Sequence, residues 1–262
     1  MTIIVGWIPF ERAGEQYRPT SAYIASDSRV TQCGYKPIDL AQKVFYSKNS
    51  PNIFGFCGDV IAGVTLIHHA ISLFDSGWAR SEGIDNRFYM VMEMIQRDAV
   101  VDRNLTILHI TRKGYHNFGC CRYYTDAGKW NIEIQTIQNE GPKPFYVATG
   151  SGRNEYMDVF TKFASGNSAN TSRNVFQALS HMIESVETPS CGGHIQLVGL
   201  FGEGGGRPLG VVKDDSVWLS GCFLPNYLIP DDLELRNRLF ERCDQKTLKL
   251  KNGAQAQPNE LM

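Results

Sequence analysis

Ala25-Ser26-Asp27-Ser28-Arg29-Val30-Thr31, with Lys43-Val44-Phe45 sixteen residues beyond its aspartate, is the stretch on which the reading of this chain turns. It follows an apolar run, Ser21 to Ala25, that reads as a strand. A first β-rich run, Thr2 to Trp7, precedes it across a polar connection, Pro9 to Pro19. The two runs predict a β-hairpin with a long connection. Beyond the motif, Lys43–Tyr46 and Ile53–Cys57 predict two further short strands around the turn-rich residues 47–52.

The period then changes. Val60, Val64, Ile67, Ile71 and Phe74 recur at helical spacing, and Phe88, Val91, Met92 and Ile95 do so across Asn86–Ala99. Strand-like runs follow at Leu105–Thr111, Tyr115–Tyr124, Trp130–Ile137 and Pro144–Ala148. Helical spacing returns over Asn154–Ala164 and Ser172–Val186, where Thr171 or Ser172 is a suitable cap. The last strands are His194–Phe201, Leu209–Val212 and Val217–Leu219. Strands in blocks, separated by helix pairs, argue against a doubly wound parallel sheet. Two antiparallel sheets packed face to face, with helix pairs outside, fit the order better. Residues 1–243 are expected to form one domain, and the polar stretch 244–262 a loose tail.

Composition narrows the function classes. With 26 basic and 27 acidic side chains the net charge is −1, which leaves no electrostatic footprint for nucleic acid or an anionic membrane. The seven cysteines include no CxxC pair, so neither a zinc site nor a disulfide framework is expected. No basic leader and no membrane-spanning run is visible, which points to a cytoplasmic protein. No cofactor or metal is called for.

Chemistry enters at Met1-Thr2. A small second residue permits removal of the initiator methionine, which frees a threonine α-amine with a pKa near about 7.7–8.0, a base beside its own hydroxyl. An ammonium near that pair would lower the pKa of both groups, and a carboxylate would hold the ammonium in place. Taken singly, Thr2, Asp27 and Lys43 are equally an ordinary start, a surface acid and a surface base.

As a set, these residues resemble the proteasome β-subunit and HslV-type proteases, N-terminal-nucleophile hydrolases. Their pattern is an N-terminal threonine and apolar run, an Ala-Ala/Ser-Asp-Ser-Arg-x-Thr segment, and Lys-Val/Ile sixteen residues after the aspartate. Phe56-Cys57-Gly58-Asp59-Val60-Ile61-Ala62-Gly63 resembles the element before the family's first helix. Ala148-Thr149-Gly150-Ser151-Gly152 resembles its Gly-Ser-Gly turn, and Cys191-Gly192-Gly193-His194-Ile195 its Ser-Gly-Gly strand element. The likeness runs from Thr2 to about Leu219.

The resemblance implies an α+β, four-layer αββα sandwich and a threonine-type peptidase acting on polypeptide amide bonds. Thr2 would be nucleophile and general base, and Lys43, held by Asp27, would lower the local pKa. The Gly58 N–H would form the oxyanion hole, and Ser151 would relay protons near the Thr2 amine. Val30, Ala41 and Phe56 would line an apolar first subsite. A ring-like homo-oligomer and an ATP-dependent unfoldase are the implied partners. Two departures stand out: Thr188 and Cys191 replace the family's Asp and Ser, and the Thr2–Asp27 connection is longer than usual. A catalytically silent scaffold subunit of the same fold, or a hydrolase of a small amide, are the alternatives.

Other features carry less. Phe201-Gly202-Glu203-Gly204-Gly205-Gly206-Arg207 lacks the Gly-Lys-Ser/Thr ending of a phosphate loop and reads as a turn. His68-His69, Cys120-Cys121 and the Met90, Met92, Met94 cluster read as packing.

Overall fold

A computed structural model of the chain describes residues 2–31, 35–98, 104–137, 141–164, 171–185 and 191–256. Its strands up to the first helix are β1 (Ile3–Ile8), β2 (Phe10–Ala13), β3 (Gln16–Pro19), β4 (Ser21–Ser26), β5 (Val44–Tyr46) and β6 (Asn52–Gly58). Helices α1 (Val60–Asp75) and α2 (Ile84–Asp98) follow, then β7 (Leu105–Lys113), β8 (Asn117–Asp126), β9 (Lys129–Gln135) and β10 (Phe145–Gly150). The remainder is α3 (Arg153–Phe163), α4 (Ser172–Ser185), β11 (Gln196–Phe201), β12 (Gly206–Lys213), β13 (Ser216–Leu219), β14 (Cys222–Leu224), β15 (Leu235–Arg236) and β16 (Arg242–Cys243). This is a mixed α+β protein. None of its described helices is long and apolar enough to cross a membrane.

One sheet has the order β10-β1-β4-β11-β12-β13-β14, with β15 paired to β12 and β16 to β15. The middle of the chain forms the second sheet, β5-β6-β7-β8-β9, in simple meander order. Neighbours run antiparallel in both sheets except at β12–β15. The polar connection between β1 and β4 is itself a two-stranded hairpin, β2–β3, joined by Gly14-Glu15.

Strand periodicity distributes the core. Ile3, Val5 and Trp7 of β1 pack with Phe176, Leu179 and Met182 of α4, whereas Ile4 and Ile8, on the opposite face, pack with Ile53, Leu108 and Ile110 of the second sheet. In β8, Cys120 joins the cluster shared by the two sheets and Cys121 the cluster that holds α1 and α2. With both faces covered, these strands read as continuous apolar runs rather than alternating ones.

Helix α1 starts on Asp59, whose carboxylate accepts the Ala62 N–H at 3.0 Å. Its buried face is Gly63, Leu66, Ile67, Ala70 and Phe74, and Val60, Val64 and Ile71 of the expected stripe pack half-buried beside it. The Phe56 ring packs closely on the helix at Gly63, where a Cβ would sit 2.4 Å from it. At α4, Thr171 supplies the cap, its hydroxyl accepting the Asn174 N–H at 3.2 Å. From Asp244 to residue 256 the chain is a hydrogen-bonded turn, with Lys251 N–H donating to Arg242 and Leu248 packed beside Leu233 and Leu235.

Candidate active site

The end of β4 delivers the motif to the start of β1. Ser26 Oγ donates to the Ile3 carbonyl at 2.8 Å, and the Ile3 N–H donates to Asp27 Oδ1 at 3.2 Å. Thr2 is thereby tied, through its own peptide bond, to the aspartate. The same Oδ1 accepts the Lys43 ammonium at 2.9 Å, with the two side chains 0% and 1% exposed. Asp27 Oδ2 accepts the Arg29 and Gly192 N–H groups, each at 3.2 Å. Four N–H donors therefore surround one carboxylate. The arrangement satisfies the requirement that a buried charge be paired and hydrogen-bonded.

Lys43 also donates to the Arg29 carbonyl. Burial pushes its ammonium down from the ordinary lysine range, opposed by the Asp27 charge. Burial likewise pushes the Asp27 carboxyl up, opposed by Lys43 and by the backbone donors. The two shifts bring the groups' proton affinities closer together.

Gln196, fully buried on β11, holds the lysine segment in place. Its Oε1 accepts the Lys43 N–H at 2.9 Å while its Nε2 donates to the carbonyls of Asp27 and Ala41. The sequence reading missed this residue. Its signal was a lone amide within the apolar run Ile195-Gln196-Leu197-Val198. Arg29 forms a two-pronged pair with Asp39 at 2.7 and 2.8 Å that braces the loop between β4 and β5. Sequence offered no signal for that pairing.

Ser151 is at the site: its Oγ accepts the Thr2 N–H at 3.2 Å. The preceding Gly150 (φ +113°) lets the Thr2 carbonyl approach, since a Cβ there would lie 2.0 Å from that oxygen. Gly58 ends β6 exposed at φ +112°, where a Cβ would lie 2.0 Å from the Asn104 carbonyl. Val30 and Ala41 are half-buried on the loop that carries the Arg29–Asp39 pair.

Phe56 is placed differently from the expected subsite wall. Its N–H donates to the Lys43 carbonyl at 3.1 Å, but its ring is buried among the helix-side aromatics, 6.2 Å from Phe45 and against Gly63. Strand alternation explains this: Phe54 and Phe56 point to α1, while Cys57 points to the other sheet. Cys191 is buried against Gly152, next to Ser151. Met1 and Thr188 lie outside the described residues, as does Cys33.

The sequence matches no family model and none of the curated proteins. Among solved structures it is similar to the crystal structure of eukaryotic HslV from Trypanosoma brucei, at 14% identity and a TM-score of 0.50. That likeness covers 77% of this chain and 99% of the other. The fold of the chain is therefore HslV-like.

Proposed function

We propose that the chain is a threonine-type peptidase of the proteasome/HslV class that hydrolyses polypeptide amide bonds through Thr2, exposed by removal of Met1. The observation that carries this reading is Asp27 Oδ1, which accepts both the Ile3 N–H and the Lys43 ammonium. One carboxylate oxygen thus fixes a buried cation beside the residue that bears the nucleophile. Support comes also from Ser151 on the Thr2 nitrogen and from the HslV-like fold.

In this mechanism the Thr2 hydroxyl gives its proton to its own α-amine and attacks the substrate carbonyl. The Lys43 charge favours the deprotonated hydroxyl and keeps the amine free to accept. The Gly58 N–H stabilises the oxyanion, whose approach a side chain would obstruct. The amide C–N bond breaks as the amine returns the proton to the leaving group. Water, activated by the same amine, then cleaves the Thr2 ester and restores the enzyme. Ser151 relays protons at that amine.

In this reading the two sheets and the helix pairs form a four-layer αββα sandwich, with the reactive threonine at the end of its inner sheets. Val30 and Ala41 form the apolar first subsite. A ring-like cytoplasmic homo-oligomer that encloses the sites, served by an ATP-dependent unfoldase, completes the reading. The test is hydrolysis of a fluorogenic peptide with an apolar residue before the scissile bond. Turnover by the wild type that is lost in Thr2→Ala supports the proposal. Turnover that survives Thr2→Ala overturns it.

A further inference from the structure

A second polar cluster lies far from Thr2 in sequence and uses none of its residues. Arg87 of α2 and Arg112 of β7 are 5% and 7% exposed, yet neither meets a carboxylate within ion-pair distance among the described residues. Their Nη groups brace backbone: Arg87 donates to the Thr111 hydroxyl and to the carbonyls of Arg112 and Arg80, and Arg112 to those of Gly114 and Gly204. Bracing accounts for those donors and leaves others over. Both Nε–H groups are buried without an acceptor.

Neutral braces would suit that structural task without the penalty of two buried like charges. Glu82 and Glu203 attract them only through space, and burial lowers the proton affinity of both guanidinia, with Arg87 adding repulsion at Arg112. Both residues line a cleft of ≈ 340 Å³ that Arg80, Lys113 and Ser50 also line. Asp75 is the acid in that lining, and its Oδ1 is engaged by the Ser47 hydroxyl and the Asn49 N–H.

We propose that this cleft, between the α1–α2 connection and the β7–β8 hairpin, binds a small phosphate-bearing anion through Arg87 and Arg112, with Arg80 and Lys113 at the rim. Guanidinium forks match the tetrahedral oxygens of a phosphate, and a dianion offsets two buried cations at once. The volume leaves room for a sugar-sized ester beside the phosphate group.

Calorimetric titration of the full chain with inorganic phosphate at constant ionic strength tests this, with sulfate and ribose 5-phosphate as further arms. Saturable binding of one phosphate per chain is expected at about millimolar Kd or tighter. Arg112→Met should weaken it about tenfold or more. Tighter binding of the ester identifies a metabolite-type ligand, and equal affinity the free ion. The double variant Arg80→Ala/Lys113→Ala alters only the rim and should weaken binding several-fold; it decides the matter if Arg112→Met does not fold. Absence of saturable heat at about 10 mM phosphate, far above the expected Kd, overturns the proposal. So does unchanged affinity in the rim variant. Thr2→Ala should bind phosphate as the wild type does, so this test stands apart from the peptidase reading.

Discussion

Asp27 and His109 are both fully buried and both hydrogen-bonded on each polar side-chain atom, yet their surroundings are opposite in kind. His109 sits mid-strand in β7, stacked on Phe54 at 4.2 Å and edged by Phe88, with its nitrogens on Tyr123 and Asn52. Its partners are neutral side chains inside the helix-side core, and burial holds its pKa well below the ordinary histidine value. Asp27 sits just past a strand end, and three of its four donors are backbone N–H groups from separate segments, at Ile3, Arg29 and Gly192. Its fourth donor is a charge. A neutral group sealed among rings serves packing. An ion pair gathered from loop ends at a sheet terminus ties separate segments together at one point, and under the proposed function its cost in desolvation finds a reason in chemistry.

The comparison can be broken from either side. The largest effect is expected at the ion pair: Lys43→Met should lower peptide turnover by about 10³-fold or more, as loss of a group that acts as a unit with its neighbours does. Its far-UV circular dichroism should stay that of the wild type, because Asp27 keeps three backbone donors. Unchanged turnover would remove Lys43 from the mechanism. Next comes Gly58→Ala, which combines positive φ with a Cβ 2.0 Å from the Asn104 carbonyl. A loss of about 3 kcal/mol in urea unfolding is expected, with activity falling as well.

His109 gives a smaller and pH-dependent effect. The folded state keeps it neutral while the unfolded chain protonates near about pH 6.5, so the unfolded state binds more protons below that pH. Stability should therefore fall as pH drops, by about 1.4 kcal/mol per pH unit below 6.5 until the lowered folded pKa is reached. Denaturant midpoints of wild type and His109→Phe across pH 7.5 to 5.5, roughly one unit either side of that pKa, should diverge by this slope. Parallel curves would contradict it. The smallest effect is expected at the exposed tip of the β2–β3 hairpin. Replacing Ala13-Gly14-Glu15-Gln16 by Asn-Gly should change stability by less than about 0.5 kcal/mol, measured by thermal melting.

The same contrast explains what could be read from the sequence. Strands such as β1, β7 and β8 were legible because both faces are buried, and α2 because Phe88, Val91, Met92 and Ile95 keep strict helical spacing. Asp27, Lys43, Gly58 and Ser151 were singled out by their likeness to a family pattern; of these, Lys43 meets Asp27 and Ser151 meets the Thr2 nitrogen. The β2–β3 hairpin was not, because Glu11, Arg12, Glu15 and Arg18 make it polar throughout; its turn signal was only Gly14. Strands β15 and β16, two residues each, leave no period to detect. Phe56 was assigned to the subsite because a family pattern gives position but not face, and strand alternation turned its ring to α1. Gln196 and the Arg29–Asp39 pair join distant segments, and such partners emerge only once the sheets are assembled.

The reading of Thr2 as a nucleophile is tested most directly by the intact mass of the purified protein, before and after incubation with a threonine-directed epoxyketone. The account predicts loss of Met1 and a single covalent adduct that is absent from Thr2→Ala. Retained Met1 and no adduct would contradict it and leave a silent scaffold subunit built on the same ion pair.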